Sequence, residues 1–588
     1  MRDGRVFEIC FAQLVAMIWF LGAGAAAAEA QSFDPLEDVG IRPLSAQLPI
    51  ENGLINTANG NVHIEIPLGS FTQRGGRQAT FALVYDSGIW SQDGCCSWLL
   101  SYTGFAYGTQ SHFVPGWKYV VSQSPGVTNS DFNQHVCSVD GRIEWISYNS
   151  FIWTDPGGTT HLFPIYTAVG YVTRCGDFTA HNLSTGDSMA LDGSGYHMYV
   201  YGVTYAIVYA PDGTKIIDKL IGGVNQNIDS NGNYFGQNFN GLVDTLGRNP
   251  VVQTTTSTNM TFAVLNSQGQ RSTYTATFMP ISFSTNFASV GSGFMDASSS
   301  SGYEEIQSIT LPDGTSYSFT YDSGTTLGHY GQLTSMRLPT GGLINYTYTN
   351  FVDSMYVSAS PHIHVTRGIS SRVTPDGTWT YTPQVVIACT STSKVNCQQK
   401  LTVHKPSGDN AVYTTNINGG AYPIKGEYYS GAVSPANLLA TQTQTFDYSQ
   451  PCPPAVTGRT PYLPLNTWPG ACYVTKTSES TILPLPGGST VTKTTNFTWD
   501  HTNQIGNLLT KAEWNFYTGS LPATADRTTT FTYLNGAAYL SKNIANKPLT
   551  VSVTDKNGST VAQTVNCYDY SAPCLGPGLC AHHWCGSA

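Results

Sequence analysis

Residues 319–350, FTYDSGTTLGHYGQLTSMRLPTGGLINYTYTN, decide the fold of this chain. Tyr321 and Asp322 are placed to end one strand, residues 331–336 to begin the next, and residues 339–342 to form the following turn. After that turn Ile344, Tyr346 and Tyr348 alternate with polar residues, so one face of the strand is apolar. The stretch therefore predicts consecutive antiparallel hairpins.

The composition of the whole chain favours strands over helices. Of its 588 residues only 11% are charged, against about 25% in an ordinary globular chain. It contains 59 glycines and 34 tyrosines, and aromatic residues suit a pleated surface whereas glycine suits turns. Long segments with the helical period are missing beyond the N-terminus. We predict an all-β fold, an extended antiparallel sheet of irregular hairpins that can spiral or form a shell.

The charge pattern argues against two classes of partner. The net charge is −10, and lysines and arginines form no run longer than a pair. A nucleic-acid-binding surface requires a basic patch, and a membrane-surface protein requires a basic amphipathic helix. We therefore expect no nucleic-acid partner and, once the N-terminal segment is removed, no membrane partner.

Residues 1–30 have the layout of a secretory signal. Arg2 and Arg5 precede an apolar run over residues 11–28, and Ala28-Glu29-Ala30 matches the small-residue cleavage site. We expect cleavage after Ala30 and a location outside the cell or at its surface. An uncleaved membrane anchor is the alternative, because the apolar run approaches transmembrane length.

The cysteine count agrees with an oxidising compartment. Of thirteen cysteines only Cys10 lies in the signal, so the mature chain keeps twelve (13 − 1), an even number compatible with disulfides. Local spacing makes two pairs plausible, Cys389 with Cys397 and Cys452 with Cys472. Cys95 and Cys96 are adjacent, so each needs another partner.

The mature chain begins with a strand-rich module and continues with recurring turns. Val62, Ile64 and Ile66 alternate with His63 and Glu65 after the Asn59-Gly60 turn signal, and residues 80–85 form a second predicted strand. Pro-Asp-Gly-Thr recurs at residues 211–214, 312–315 and 375–378, with a related turn at 155–159. Proline and glycine set the backbone angles of such turns, so these are predicted hairpin tips.

The sequence divides into six predicted parts. They are a signal peptide (1–30), a β lead-in module (31–125), a β-rich region with long loops (126–300), a repeat region (301–400), a β-rich region with degenerate repeats (401–570) and a cysteine-rich tail (571–588).

Two segments resemble metal sites, but their residues do not match the ligand patterns of those sites. The tail carries Cys574, Cys580, His582, His583 and Cys585, yet its spacing departs from paired zinc ligands and no second pair follows. Asp229-Ser-Asn-Gly-Asn233 resembles the start of a calcium loop, but Tyr234 and Asn240 stand where that loop requires Gly and Glu. We therefore predict no metal ligand and no cofactor.

Catalytic patterns are also lacking. Gly193-Ser194-Gly195 and Gly291-Ser292-Gly293 do not match the Gly-x-Ser-x-Gly elbow of serine hydrolases. Glu304 and Glu305 are adjacent, and neighbouring strand residues point to opposite faces, so they are not expected to act as a pair. Asp187 and Asp192 form a looser pair. His161, His181 and His197 lie in strand-like segments and are expected to be structural. No catalytic residue is predicted.

Aromatic clusters offer a binding alternative. Tyrosines and tryptophans could stack on sugar rings, or they could pair across strands and stiffen a sheet. The candidates are Trp90, Trp98, Tyr196, Tyr199, Tyr201, Tyr205, Tyr428 and Tyr429.

The order Tyr-Asp, Gly-x-Leu, Pro-x-Gly, Tyr-x-Tyr in residues 319–350 resembles the tyrosine-aspartate (YD) repeat of secreted bacterial Rhs-type proteins. Gly60-Asn-Val, Ile66-Pro-Leu and Pro115-Gly-Trp117 resemble the lead-in of the same family. The resemblance implies antiparallel sheets that can spiral into a hollow shell, which wraps a toxic C-terminal domain in longer members. The family's core, with its aspartate-dependent self-cleavage segment, is not recognisable here, so the chain resembles an N-terminal portion truncated before that core.

The sequence therefore predicts an exported, non-catalytic structural protein that forms a segment of a β-sheet shell or fibre. The partners it suggests are cell-surface glycans, or a C-terminal toxin domain in longer relatives. A carbohydrate-binding adhesin is the alternative, and a polysaccharide-active hydrolase is a third, less favoured hypothesis.

Overall fold

The computed structural model describes residues 40, 44, 47–93, 97–122, 126–136, 143–170, 185–201, 205–218, 225–238, 241–266, 268–291, 294–353, 364–388, 397–452, 471–502 and 505–568. These residues are mostly in antiparallel strands, which confirms the all-β prediction. In the described residues helix is confined to a short segment α1 (Ala537–Leu540) and two 3-10 turns, Phe287–Val290 and Pro435–Asn437.

The described residues of the N-terminal part form nine strands: β1 (Gln47–Ile50), β2 (Gly53–Asn56), β3 (Val62–Thr72), β4 (Gln78–Asp86), β5 (Trp90–Asp93), β6 (Ser97–Leu100), β7 (Tyr102–Tyr107), β8 (Gln110–Pro115) and β9 (Trp117–Val121). The first sheet has the order β1-β2-β3-β4-β9, and β5-β6 and β7-β8 are separate hairpins inserted before β9. The predicted strands of the lead-in module correspond to β3 and β4.

The middle part contains two sheets. The first has the order β10 (Val127–Val136), β11 (Ile143–Thr154) and β12 (Thr160–Gly170). The second has the order β13 (Thr185–Met189), β14 (His197–Tyr201), β15 (Tyr205–Tyr209), β16 (Lys215–Asp218), β17 (Gln226–Ile228), β18 (Tyr234–Asn238) and β19 (Gly241–Asp244). Both are antiparallel meanders, because each strand pairs with the next one along the chain.

A 19-stranded antiparallel sheet follows, again in chain order. Its strands are β20 (Val251–Thr255), β21 (Asn259–Leu265), β22 (Arg271–Ser284), β23 (Ser298–Thr310), β24 (Ser316–Tyr321), β25 (Leu333–Arg337), β26 (Leu343–Asp353), β27 (His364–Thr374), β28 (Gly377–Ile387), β29 (Cys397–His404), β30 (Asn410–Ile417), β31 (Ala421–Tyr429), β32 (Leu438–Asp447), β33 (Thr475–Pro484), β34 (Thr490–Asp500), β35 (Asn507–Tyr517), β36 (Arg527–Tyr533), β37 (Pro548–Asp555) and β38 (Thr560–Val565). The sheet is open, since among the described strands β20 and β38 are its edges and do not pair with each other.

The recurring turns form hairpin tips, as predicted. In the turn between β23 and β24 the Leu311 amide donates to the Thr315 carbonyl (2.8 Å) and the Gly314 amide donates to the Leu311 carbonyl (3.0 Å). Gly314 has φ +85°, a left-handed conformation that favours glycine. The Asp313 carboxylate accepts from the Thr315 amide (2.9 Å) and closes the turn from inside.

The main core lies between the first sheet and the first half of the long sheet. It is one cluster that includes Phe81, Tyr85 and Trp117 from the first sheet together with Phe262, Phe319 and Tyr346 from the long sheet. The second half of the long sheet is less buried, and all 6 residues of β38 are exposed. Apolar burial, the main stabilising contribution to folding, is therefore concentrated in the first half.

The sheets do not follow every predicted boundary. The boundary near residue 125 falls between β9 and β10, whereas the boundaries near 300 and 400 fall inside β23 and β29. The long sheet instead begins at β20. Residues 220–300, which are less periodic in sequence, contribute strands β17 to β23, and within β21 the buried Met260, Phe262 and Val264 alternate with more exposed residues. The predicted signal peptide and the tail after residue 570 lie outside the described residues.

Candidate functional site

A threonine followed by an aromatic residue marks a bulge in hairpin after hairpin of the long sheet. The register shifts by one residue at each of these pairs, because the next strand carries one extra residue opposite the step. The pairs are Thr320–Tyr321, Thr347–Tyr348, Thr445–Phe446, Thr498–Trp499 and Thr532–Tyr533. We call this element the Thr–aromatic bulge.

Hydrogen bonds connect the Thr–aromatic bulges to the neighbouring strands. The threonine hydroxyl contacts a hydroxyl on the next strand, as in Thr320–Ser335 (2.7 Å) and Thr498–Thr510 (2.7 Å). At three of the five bulges the aromatic side chain donates to a backbone carbonyl of the preceding strand: Tyr321 to Ile306 (2.7 Å), Trp499 to Lys476 (2.6 Å) and Tyr533 to Leu508 (2.9 Å). Each of these three bulges therefore links its strand to both neighbours, through the threonine on one side and the aromatic residue on the other.

The first sheet is joined to the long sheet through the bulge at Tyr321. The Trp117 indole donates to the Tyr321 hydroxyl (2.7 Å), and the Leu333 amide donates to the Tyr85 hydroxyl (2.8 Å). Tyr85 and Trp117 also contact each other, with ring centroids 5.4 Å apart. This buried aromatic cluster packs the first sheet against the long sheet.

A close backbone approach makes a second junction. The Ile369 amide donates to the Gly60 carbonyl (2.9 Å), and a Cβ atom at Gly60 would lie only 2.8 Å from the Gly368 Cα. Gly60 also has φ +71°. The Asn59-Gly60 signal therefore specifies both a turn and a position where no side chain fits.

A buried carboxylate explains why His63 is buried despite the alternating pattern of β3. Asp86 lies 2.7 Å from His63 Nδ1, 3.0 Å from Lys118 Nζ and 3.1 Å from the Asn61 amide nitrogen. Burial raises the pKa of Asp86, but Lys118, His63 and Asn61 outweigh it and bring that pKa to about 2. The group is a structural ion cluster of the first sheet.

The two adjacent glutamates of β23 have different surroundings. Glu304 pairs with His112 of β8, whose other ring nitrogen lies 2.6 Å from the Thr256 carbonyl. Glu305 is 0% exposed, and neither of its carboxyl oxygens has a hydrogen-bond partner among the described residues. Burial raises the pKa of Glu305 well above its ordinary value. The two carboxyls therefore do not form the shared site that a glycosidase needs.

His161, Asp192 and Ser194 meet in space, which sequence spacing did not predict. Asp192 lies 2.6 Å from His161 Nδ1, and the Ser194 hydroxyl lies 3.4 Å from the same nitrogen and 2.5 Å from Asp192. A catalytic serine needs the imidazole nitrogen opposite the carboxylate. Because serine and aspartate share Nδ1, this cluster does not have the geometry of a nucleophilic triad.

The charge on His161 gives a testable pH dependence. Burial lowers the pKa of His161, but Asp192 and Asp155 outweigh burial and raise it to about 9. The folded chain thus keeps a proton that the unfolded chain releases near pH 6.5. The free energy of unfolding should fall between these two pH values, by up to about 3 kcal/mol. Urea denaturation across that range should show a shallower fall for Asp192→Asn than for the wild type.

Asp187→Asn is the control for this measurement. Asp187 pairs with His197, and both side chains are solvent-accessible (His197 31% and Asp187 66% exposed). Because an exposed pair contributes little to stability, the free energy of unfolding of this variant should depend on pH as that of the wild type does. Equal pH dependence in Asp192→Asn and the wild type would contradict the assignment of the buried charge to His161.

Most of the aromatic candidates with described side chains are used in packing. Trp98 stacks on Phe287 with ring centroids 3.6 Å apart, and Trp90 meets Phe283 edge to face; both tryptophans are buried. Tyr429 is buried and Tyr428 donates to Gln442 (2.9 Å). Tyr201 is 39% exposed. These residues are distributed over separate sheets and do not form one platform.

The remaining candidates have structural explanations or lie elsewhere. The Asp229 carboxylate accepts from the amides of Asn231 (2.9 Å) and Asn233 (2.8 Å), as a turn residue does. In the part of the chain that the structure describes, no group of three or more metal-binding side chains converges. His181 and the tail residues Cys574 to Cys585 lie outside the described ranges.

One predicted disulfide is present. Cys452 and Cys472 are bonded, which confirms that prediction, and the bond packs against Leu162 and Leu191 of the middle part. Cys397 is also in a disulfide. Cys389, Cys95 and Cys96 lie outside the described residues.

Comparison with known proteins adds no family. No protein-family model matches the chain, and no curated protein is significantly similar to it. Within the described residues no helix has the length and apolarity needed to cross a membrane.

Proposed function

We propose that this protein is an exported, non-enzymatic structural protein whose long sheet forms a wall segment of a surface shell or fibre. The observation that carries the proposal is the continuous 19-stranded meander, in which every strand pairs with its neighbours in chain order. Such an architecture presents a large surface and can be lengthened hairpin by hairpin.

The proposal includes the family and the location predicted from sequence. The Thr–aromatic bulge at residues 320–321 is followed by Asp322, which accepts from His329 Nδ1 (2.7 Å) and from the Tyr330 amide (2.8 Å). This role gives a physical reason for a Tyr-Asp pair in a repeat of the Rhs type. The signal at residues 1–30 supports export, and we propose a C-terminal domain in longer relatives as the cargo of such a wall.

Fractionation and activity assays test this function together. The full chain, carrying an epitope tag in the exposed turn at residues 556–558, should be found outside the cell or be accessible to protease on intact cells. The purified mature chain should release no reducing sugar from a panel of polysaccharides. Retention in the cytoplasm, or hydrolysis that Glu304→Gln or Asp192→Asn abolishes, would contradict the proposal.

A further inference from the structure

A cavity of about 360 Å³ lies between the first sheet and the middle part of the chain. Glu65 and Arg77 line it from the first sheet, and Trp153, Asp155, Tyr196 and Asp212 line it from the middle part. Its volume is within the range of roughly 300–1,000 Å³ that is usual for small-molecule sites. The structural role proposed above does not require this cavity.

His161 stacks on Trp153 of the cavity wall, and its Nε2 makes only a long ion pair. His161 is 2% exposed and donates through Nδ1 to Asp192. Its Nε2 has no acceptor within hydrogen-bond distance among the described residues, and the nearest carboxylate, Asp155 of the cavity wall, is 3.9 Å away. Since the raised pKa of His161 keeps both nitrogens protonated, Nε2–H is a charged donor that needs an acceptor.

Two turn aspartates supply acceptors on the same wall. The Asp155 carboxylate uses Oδ1 to accept from the Thr159 amide (2.9 Å), and Asp212 uses Oδ1 to accept from the Thr214 amide (2.9 Å). The second oxygen of Asp155 faces His161 Nε2 at 3.9 Å, and both aspartates line the cavity. Both charges influence Tyr196, because burial and then Asp155, Asp192 and Asp212 raise the pKa of Tyr196 to about 12. The acidic groups therefore converge around one ring.

Arg77 brings a positive charge from the opposite wall. Its guanidinium donates to the Asn227 side chain (3.2 Å), which leaves other N–H donors of the fork available. The cavity lining thus combines a charged donor (Arg77), carboxylate acceptors (Glu65, Asp155 and Asp212) and the side chains of Trp153 and Tyr196. A purely cationic ligand would meet the Arg77 guanidinium, and an anionic ligand would meet three carboxylates.

We propose that this cavity binds a sugar residue through its hydroxyl groups. A hydroxyl both donates and accepts, so adjacent hydroxyls on one ring can satisfy carboxylates and cationic donors together. The apolar face of a pyranose suits the ring of Tyr196, which is half-buried, whereas Trp153 is 1% exposed and packs against Tyr196. The aromatics predicted from sequence as sugar platforms include only Tyr196 of this set, so the site differs from a surface platform.

Matched turn variants test the site. The mature chain is titrated with the methyl glycosides of glucose, galactose, mannose and N-acetylglucosamine, and with methylammonium and sulfate as charged probes, using calorimetry and saturation-transfer NMR. At least one glycoside should bind, and Asp212→Asn should weaken it about tenfold, since a charge-assisted hydrogen bond is lost while the turn cap remains. Asp313→Asn changes the same Pro-Asp-Gly-Thr turn in the long sheet, outside the cavity, and should keep wild-type affinity.

The other results overturn the proposal. These are the absence of binding by every glycoside, binding of methylammonium or sulfate alone, equal affinity in Asp212→Asn and the wild type, or an equal loss in Asp313→Asn. If Asp212→Asn does not fold, Glu65→Gln removes an exposed carboxylate on the opposite wall and should give a loss in the same direction. A failure of binding leaves the structural function intact, because the sheets pair without the cavity.

Discussion

Replacement of Trp117 by alanine is expected to lower the free energy of unfolding by about 3–5 kcal/mol. Trp117 is 0% exposed and packs against Tyr85 and Phe319, whose ring centroids lie 5.4 Å and 4.9 Å from its own. The variant also leaves the Tyr321 hydroxyl without its donor. Chemical denaturation should show a lower midpoint, and limited proteolysis should release the N-terminal module, because Trp117 joins the two sheets.

Trp499→Ala is the matched control. Trp499 makes the same kind of bond, from its indole to the Lys476 carbonyl (2.6 Å), but it is only half-buried and lies in the second half of the long sheet. Its loss should cost on the order of 1–2 kcal/mol, because less apolar surface is removed from the core. Equal losses for the two tryptophans would contradict a core concentrated between the first sheet and the first half of the long sheet.

Local features of this fold were predictable from sequence. The turn at residues 312–315 and the strand face formed by Ile344 and Tyr346 depend on neighbouring residues only, and both side chains are 1% exposed as the alternation predicts. Backbone angles of proline and glycine, and the two-residue period of a strand, are properties of the local chain. The hairpins therefore follow from short segments.

The contacts between sheets were not predictable in the same way. Trp117 and Tyr321 are separated by 204 residues, and Tyr85 and Leu333 by 248. A pairing at that distance depends on how whole sheets pack, which no local pattern encodes. The same holds for the cavity, whose walls come from turns at Arg77, Asp155 and Asp212.

The Thr–aromatic bulge was only partly predictable from sequence. Phe319-Thr-Tyr-Asp322, Phe497-Thr-Trp-Asp500 and Phe531-Thr-Tyr-Leu534 share a visible pattern, yet their spacing is irregular. The pattern is recognisable as a unit only when the register shift and the bond to the preceding strand are known. Irregular spacing is compatible with one structural unit because the hairpins between bulges differ in length.

Glu305→Met is expected to raise the free energy of unfolding at neutral pH, by about 1–4 kcal/mol. Its fully buried carboxyl has no hydrogen-bond partner among the described residues, so an apolar side chain of similar length removes an uncompensated polar group. Glu304→Gln should have the opposite sign, because it weakens the pair with His112. The two adjacent glutamates of one strand thus provide the test variant and its control, and urea denaturation measures both.

The pH dependence of these variants distinguishes a buried neutral carboxyl from a buried ion. The raised pKa of Glu305 keeps it protonated in the folded chain, whereas the unfolded chain ionises above about pH 4.3. Above that value the folded state binds more protons, so each pH unit should lower the wild-type free energy of unfolding by up to about 1.4 kcal/mol until the folded pKa is passed. Glu305→Met lacks this loss, and its advantage over the wild type should grow from pH 4 to pH 7. An advantage that is constant over this range would contradict the assignment of a neutral buried carboxyl to Glu305.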